Sequence, residues 1–473
     1  VPADSQDRSH FFTNILLFLA ATVSLSAATL VIRDVTLIDA TGAPARPHMS
    51  ITVTGERITT ITPALSARVP AGAQVIEGKG KFLIPGLWDM HVHLWEKQNL
   101  LPLYVANGVT GIRDMGSDFT KTAKWRKDIA NGTIIGPRIF TSGPAVMGPD
   151  LSAGKLSVIR ITTPADGEHA ASVLDDQNVD FIKVLSNVPH DAYISLAYRA
   201  RLLRLPFAGP LPDSVTMDEA IDARQRSMEH LFGLPLACSS QEVELRRRRA
   251  EAVAAKDYPA LENIAEKIYQ SYDETKAAGL FRRFVRFDVW QVPNLTRRER
   301  MSLIDVDQLT IDARQKYIPA AIRKTWTQDD PREDLKKASP ADLERGKRDF
   351  ARCLELVGAM HRAGVPMLAG TDTGDPYVLP GFALHDELAL LVRAGMTPLE
   401  AIQSSTRNPA RFLGMETTLG TIQKGKIADM VLLNANPLSD IRNTRQVAAV
   451  ILKGRLLTSE RLNGLLRSME AVK

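Results

Sequence analysis

Two imidazoles one residue apart, His91 and His93, stand in the run Trp88-Asp89-Met90-His91-Val92-His93-Leu94, directly behind the apolar stretch Phe82-Leu83-Ile84-Pro85-Gly86-Leu87. Alternate side chains of a strand share a face, so both rings project together, as two ligands gripping one cation must. An isolated His-x-His says little by itself. Lys183, His230 and Asp372 lie downstream, each at the end of its own apolar segment. Imidazole nitrogen and carboxylate oxygen suit a divalent transition metal such as zinc. An ammonium is a poor ligand, but a lysine carboxylated by carbon dioxide becomes an anion on a long arm, able to bridge two cations. The chemistry such a centre supports is attack of metal-activated water on a carbonyl.

Strands must bring these groups to one place. After the His-x-His segment, short apolar runs are read at 109–114, 138–142, 179–185, 205–208, 226–230, 289–292 and 365–372, alternating with helical stretches. That alternation is the signature of a parallel sheet, and eight strands fit a closed (β/α)8 TIM-like barrel with its chemistry at strand C-terminal ends. Both chain ends are β-like, which predicts a small composite β-sandwich: residues 29–80 and 413–460 around a barrel at 81–412, with a tail at 461–473. The connections 241–280 and 302–350 are long and charged, and segments of this length commonly form lids or helical caps.

The chain resembles the amidohydrolase superfamily, in particular its imidazolonepropionase-like, Xaa-Pro dipeptidase-related members. The resemblance rests on Pro85-Gly86-Leu87-Trp88-Asp89-Met90-His91-Val92-His93, Asp180-Phe181-Ile182-Lys183, Met228-Glu229-His230, Ala369-Gly370-Thr371-Asp372-Thr373-Gly374, Thr406-Arg407-Asn408-Pro409-Ala410 and Gly425-Lys426-Ile427-Ala428-Asp429. It implies that His91, His93 and Asp372 hold one metal, and that carboxylated Lys183 bridges to a second held by His230 and a fifth-strand histidine. It further implies that Asp372 moves the proton from water to the leaving amine and that His230 ligates or hydrogen-bonds the carbonyl. The sequence departs at the fifth strand, Phe207-Ala208-Gly209-Pro210, where Pro210 stands in the histidine's position. His190 lies in the preceding connection and is no substitute. Three states stay open: a single-metal hydrolase, a weakened two-metal hydrolase, and a binding relative without turnover. The expected reaction is cleavage of an amide bond, peptide-like or N-acyl, in a small molecule, with cyclic-amide hydrolysis of the imidazolonepropionase type as the alternative.

Composition is that of an ordinary soluble globular protein. Of 473 residues, 44% are hydrophobic and 24% charged, with a net charge of +5, which gives no reason to expect a nucleic-acid partner. The basic run Arg246-Arg247-Arg248-Arg249 sits among Glu242, Glu244 and Glu251 and reads as a solvated helix face. Residues 11–28 form an apolar run ending in small residues, which predicts a signal peptide over 1–28, no membrane insertion after its cleavage, and a periplasmic or secreted protein. Cys238 and Cys353 are the two cysteines, and a single bridge between them is left open. His361 reads as structural, His385 as a candidate for the edge of the site, and His169, Lys424 and Asp429 as surface or turn features. Substrate identity and homo-oligomer formation have no sequence signature here.

Overall fold

The computed structural model describes residues 28–94, 100–149, 154, 156–302, 312–328 and 339–470. Apart from Ala28, the leader-like run 11–28 lies outside the described residues, as do parts of the 302–350 connection.

Strands from both chain ends join in one eight-stranded sheet. Its order is Arg455–Thr458, Val447–Leu452, Met430–Leu433, Phe82–Pro85, Thr29–Leu37, Arg46–Thr54 and Arg57–Pro63, with Gln74–Glu77 paired to Thr29–Leu37. The seam between the two ends is the antiparallel pair Phe82–Pro85 with Met430–Leu433, where Pro85 faces Met430. Alternate residues supply one apolar cluster: Leu30 and Ile32 from one end pack with Met430, Leu432 and Ile451 from the other.

The strand-like stretch 82–87 and the His-x-His run behind it, both expected in the barrel, are divided between two sheets. Phe82–Pro85 stays in the large sheet, while Leu87–Val92 starts a separate parallel one. Gly86 makes the crossing, and a Cβ there would lie 2.2 Å from Thr110 Oγ1. Leu87–Val92 is buried along its whole length, as a parallel strand covered on both faces must be. It pairs with Val109–Asp114, which pairs with Arg138–Thr141. The parallel pairs Ile182–Lys183 with Phe207–Ala208 and Ser227–Glu229 with Trp290–Val292 follow. Parallel bridges Val146 to Val184, Gly209 to Met228, Gln291 to Met367 and Val92 to Thr373 link these pieces and lead back to the first strand. The middle of the chain is therefore a TIM-barrel-like α/β domain.

Several strands are shorter than expected. Pro206 and Pro210 bracket Phe207–Ala208 and withhold ladder donors. The eighth segment forms only isolated bridges, at Met367 and Thr373. The additional parallel pair Ala145–Met147 with Val158–Arg160 was not foreseen.

The 241–280 connection is helical as read, forming Glu242–Ala255 and Tyr258–Gln270 and entering Glu274–Phe287. On the first helix Arg247 pairs with Glu244 and Glu251, and Arg246 with Glu242. Cys238 and Cys353 are separate buried thiols, so no bridge joins them. Asp429 corrects its reading as a surface or turn feature. It is buried, with Arg138 Nε 3.1 Å from Oδ2 and the Lys453 amide 2.7 Å from Oδ1. Among the described residues no helix is long and apolar enough to cross a membrane.

Candidate active site

Three strand ends deliver the cluster. His91 lies within Leu87–Val92 and His93 just beyond it. The eighth segment runs close alongside: a Cβ on Gly370 would lie 2.9 Å from His91 Cβ, so only glycine permits the approach. The Asp372 amide donates to His91 O at 2.8 Å, and the His93 amide to Thr373 O at 2.7 Å. Asp372 has φ 62° and His230, immediately after Ser227–Glu229, also has φ 62°. Left-handed conformations at non-glycine residues cost on the order of 1–3 kcal/mol and concentrate at functional sites. Here they turn two side chains out of their strands toward the same point.

His91 Nε2 and His93 Nε2 both lie 3.2 Å from Asp372 Oδ1, and His230 Nδ1 lies 3.5 Å from Oδ2. Ligand atoms of His91, His230 and Asp372 fall within 4.8 Å of one another. Beyond these contacts with Asp372, His91 Nε2 and His230 Nδ1 are buried with no hydrogen-bond partner among the described residues, which is costly for polar atoms unless something else meets them. A divalent cation suits this donor set. Burial drives the His230 imidazole well below its usual range, leaving it neutral and fit to donate a lone pair. Burial works upward on Asp372, but the facing His91 and His230 hold its carboxyl well below the ordinary range.

Lys183 is buried at the end of its strand, not on the surface. Burial lowers its ammonium to about 8, against the opposing pull of Glu229 and Asp372. Pro210 is also buried, next to Gly209, which bridges to Met228. Its side chain offers no donor. His190 stands apart in His190–Leu203, bonded to Asp191 and Glu219. His385 is not at the edge of the cluster. It is buried in Phe382–Arg393, with Nδ1 3.0 Å from Thr444 Oγ1 and Nε2 3.0 Å from Asn107 O. His361 faces Glu400 at 3.4 Å.

Three participants escaped the sequence reading. Glu229 Oε2 is 2.8 Å from His91 Nδ1 and fixes the ring with Nε2 toward the cluster. Buried Arg113 in turn braces Glu229 Oε1 at 3.0 Å, Ser227 Oγ at 3.0 Å and Met90 O at 2.6 Å. The available signal was a carboxylate and a guanidinium inside apolar strands. Arg297, on Leu295–Ser302, places Nε 2.9 Å from Asp372 Oδ2 and also pairs with Asp375.

A cavity of about 570 Å³ is lined by Leu231 and Phe232, which follow His230 in sequence. Residues that follow the strand ends line it, among them Ser186, Leu211, Leu231 and Phe232, together with Tyr269 from the helical connection. The Phe232 ring centroid is 5.1 Å from that of His230. Its volume suits a small organic molecule.

Comparisons with known proteins agree with this picture. Residues 333–457 match the amidohydrolase family model. Over 400 residues the chain is 25% identical to an ochratoxinase of Aspergillus niger, covering 78% of this chain and 73% of the relative. Over 135 residues it is 32% identical to the imidazolonepropionase of Pseudomonas syringae pv. tomato, covering 28% and 33%. The solved structure of an Xaa-Pro dipeptidase with bound methionine superimposes with a TM-score of 0.65 at 18% identity, covering 91% of this chain and all of that one (100%). That likeness speaks for the fold.

Proposed function

We propose that this chain is an amidohydrolase-type hydrolase that cleaves a carbon–nitrogen amide bond, peptide-like or N-acyl, in a small molecule. One observation carries the reading: His91, His93, His230 and Asp372 converge from three strand ends on one buried point, where two imidazole nitrogens have no hydrogen-bond partner among the described residues.

His91, His93 and Asp372 would hold a divalent cation, zinc by the chemistry of the donors, with His230 beside them. When bound, that cation polarises the scissile carbonyl and lowers the pKa of water toward neutrality. The protein's own groups do the rest. Asp372, ionised at neutral pH, accepts a proton at its carboxylate and returns it to the departing nitrogen. His230, kept neutral, stays available at Nδ1. Glu229 locks the orientation of His91. Lys183, lowered to about 8, exposes a neutral-amine fraction near physiological pH. That is the form able to add carbon dioxide, which supports its carboxylation. The cavity lined by Leu231 and Phe232 has room for the substrate beyond its amide. The strand order further supports a closed (β/α)8 barrel, and the apolar 11–28 run supports export.

Metal analysis combined with a panel of Xaa-Pro dipeptides, N-acyl amino acids and cyclic amides tests the proposal. The expected outcome is bound divalent metal, with hydrolysis of a linear amide that a chelator abolishes. Hydrolysis confined to cyclic amides would move the reading to the imidazolonepropionase type. Protein with neither metal nor turnover would be the binding relative that Pro210 suggests.

A further inference from the structure

The two oxygens of Asp372 face different surroundings. Oδ1 lies 3.2 Å from both His91 Nε2 and His93 Nε2. Oδ2 lies 3.5 Å from His230 Nδ1 and 2.9 Å from Arg297 Nε. The guanidinium thus occupies the edge of the carboxylate that His230 shares, and it is held there by Asp375 on its other side. The backbone beneath it is also fixed. Glu387 accepts from the amides of Leu295 and Thr296 at 3.0 and 2.7 Å, anchoring the first turn of the helix that carries Arg297. Pro210, at the position where the resemblance expects a histidine, supplies no ligand. A permanent positive charge is therefore built against the same Asp372 oxygen that His230 faces, and it cannot be titrated away.

Resting on the metal-dependent reading above, we propose that Arg297 replaces a second metal ion. The centre takes one divalent cation, and Arg297 provides the remaining positive charge against Asp372 and whatever anion binds beside it. A second divalent ion on the His230 edge would meet like charge at close range, whatever residue stands at position 210. Restoring a histidine is then insufficient to create a second site unless the guanidinium is also removed.

Equilibrium dialysis against cobalt(II) or zinc(II), followed by elemental analysis, reads this directly and does not depend on turnover. The wild-type protein is expected to saturate at about one equivalent, P210H to remain at about one, and the double variant P210H/R297M to reach about two. R297K, which keeps the charge, should hold P210H/R297K at about one. Two equivalents in the wild type, a second ion gained by P210H alone, or a double variant that stays at one would each overturn the proposal. Circular dichroism verifies folding of each variant, and the wild-type and P210H values decide the matter even if R297M does not fold. Two ions together with amide hydrolysis would sink the Arg297 role and leave the hydrolase reading intact. No bound ion in the wild type would sink both.

Discussion

An imidazole presents one nitrogen to a cation only if the other is occupied, and for His91 that partner is Glu229. The chain Arg113–Glu229–His91 is buried throughout. Burial pushes the Glu229 carboxyl upward, but Arg113 beside it and the His91 contact hold it well below the ordinary range. Glu229 is therefore an anion poised to orient the ring and raise its basicity. Glu229→Gln keeps the volume and removes the charge. Divalent-metal affinity, measured by competition with a chelator, should fall about 10–100-fold. Unchanged affinity would mean that packing alone orients His91. That His91, His93 and Asp372 lie together was legible only from the motifs read jointly, since an isolated His-x-His or a lone aspartate says little by itself. Glu229 was hidden by its neighbour: beside His230 it read as context. Arg297 was hidden by its company, since nothing in Leu295-Thr296-Arg297-Arg298-Glu299-Arg300 separates the inward arginine from the others.

The elements were readable where an apolar run was long enough to fix its own length, as at Val109–Asp114 and Arg138–Thr141. They were overestimated where proline or a left-handed residue cuts the ladder, as at Phe207–Ala208 and before Asp372. The helix Leu295–Ser302 shows a different limit, because it depends on a distant residue. Its first amides lack helical partners and are met by Glu387, 92 and 91 residues away in sequence. Burial pushes this carboxyl from its ordinary 4.5 to about 8. The folded protein thus holds a proton that the unfolded chain releases between those values. Stability from this group is full below about 4.5 and is lost as pH rises toward 8. Thermal midpoints of the parent should decline from pH 5 to pH 8 relative to Glu387→Gln, whose profile should be flatter. Parallel profiles would show that Glu387 does not titrate in this window.

The sheet drawn from both chain ends and the barrel-like middle are tied together by a few buried polar contacts. The Gly86 amide donates to Asp429 O at 2.8 Å where the chain passes from one sheet to the other. The Asp429 side chain, 4% exposed, meets Arg138 at the start of a barrel strand, and His385 spans Asn107 and Thr444. The sequence offered no way to see this joint, because Arg138 and Asp429 are 291 residues apart and each alone resembles a turn charge. Burial raises the Asp429 carboxyl, so ionising it has a cost that its partners must offset. A buried pair of this kind adds little over an apolar replacement, yet loses much when one partner is removed. Asp429→Ala should therefore destabilise the protein by about 3 kcal/mol. The double variant with Arg138→Met should recover part of that loss, since it leaves no unpaired guanidinium. Denaturant midpoints for the two single variants and the double variant measure the coupling. Metal content per folded molecule should stay at the parental value in all three, because neither side chain touches the cluster. Strictly additive losses would show that the two layers are held by apolar packing and backbone bonds, with the ion pair a bystander. A fall in metal content would instead mean that the joint sets the register of His91 through the Gly86 crossing.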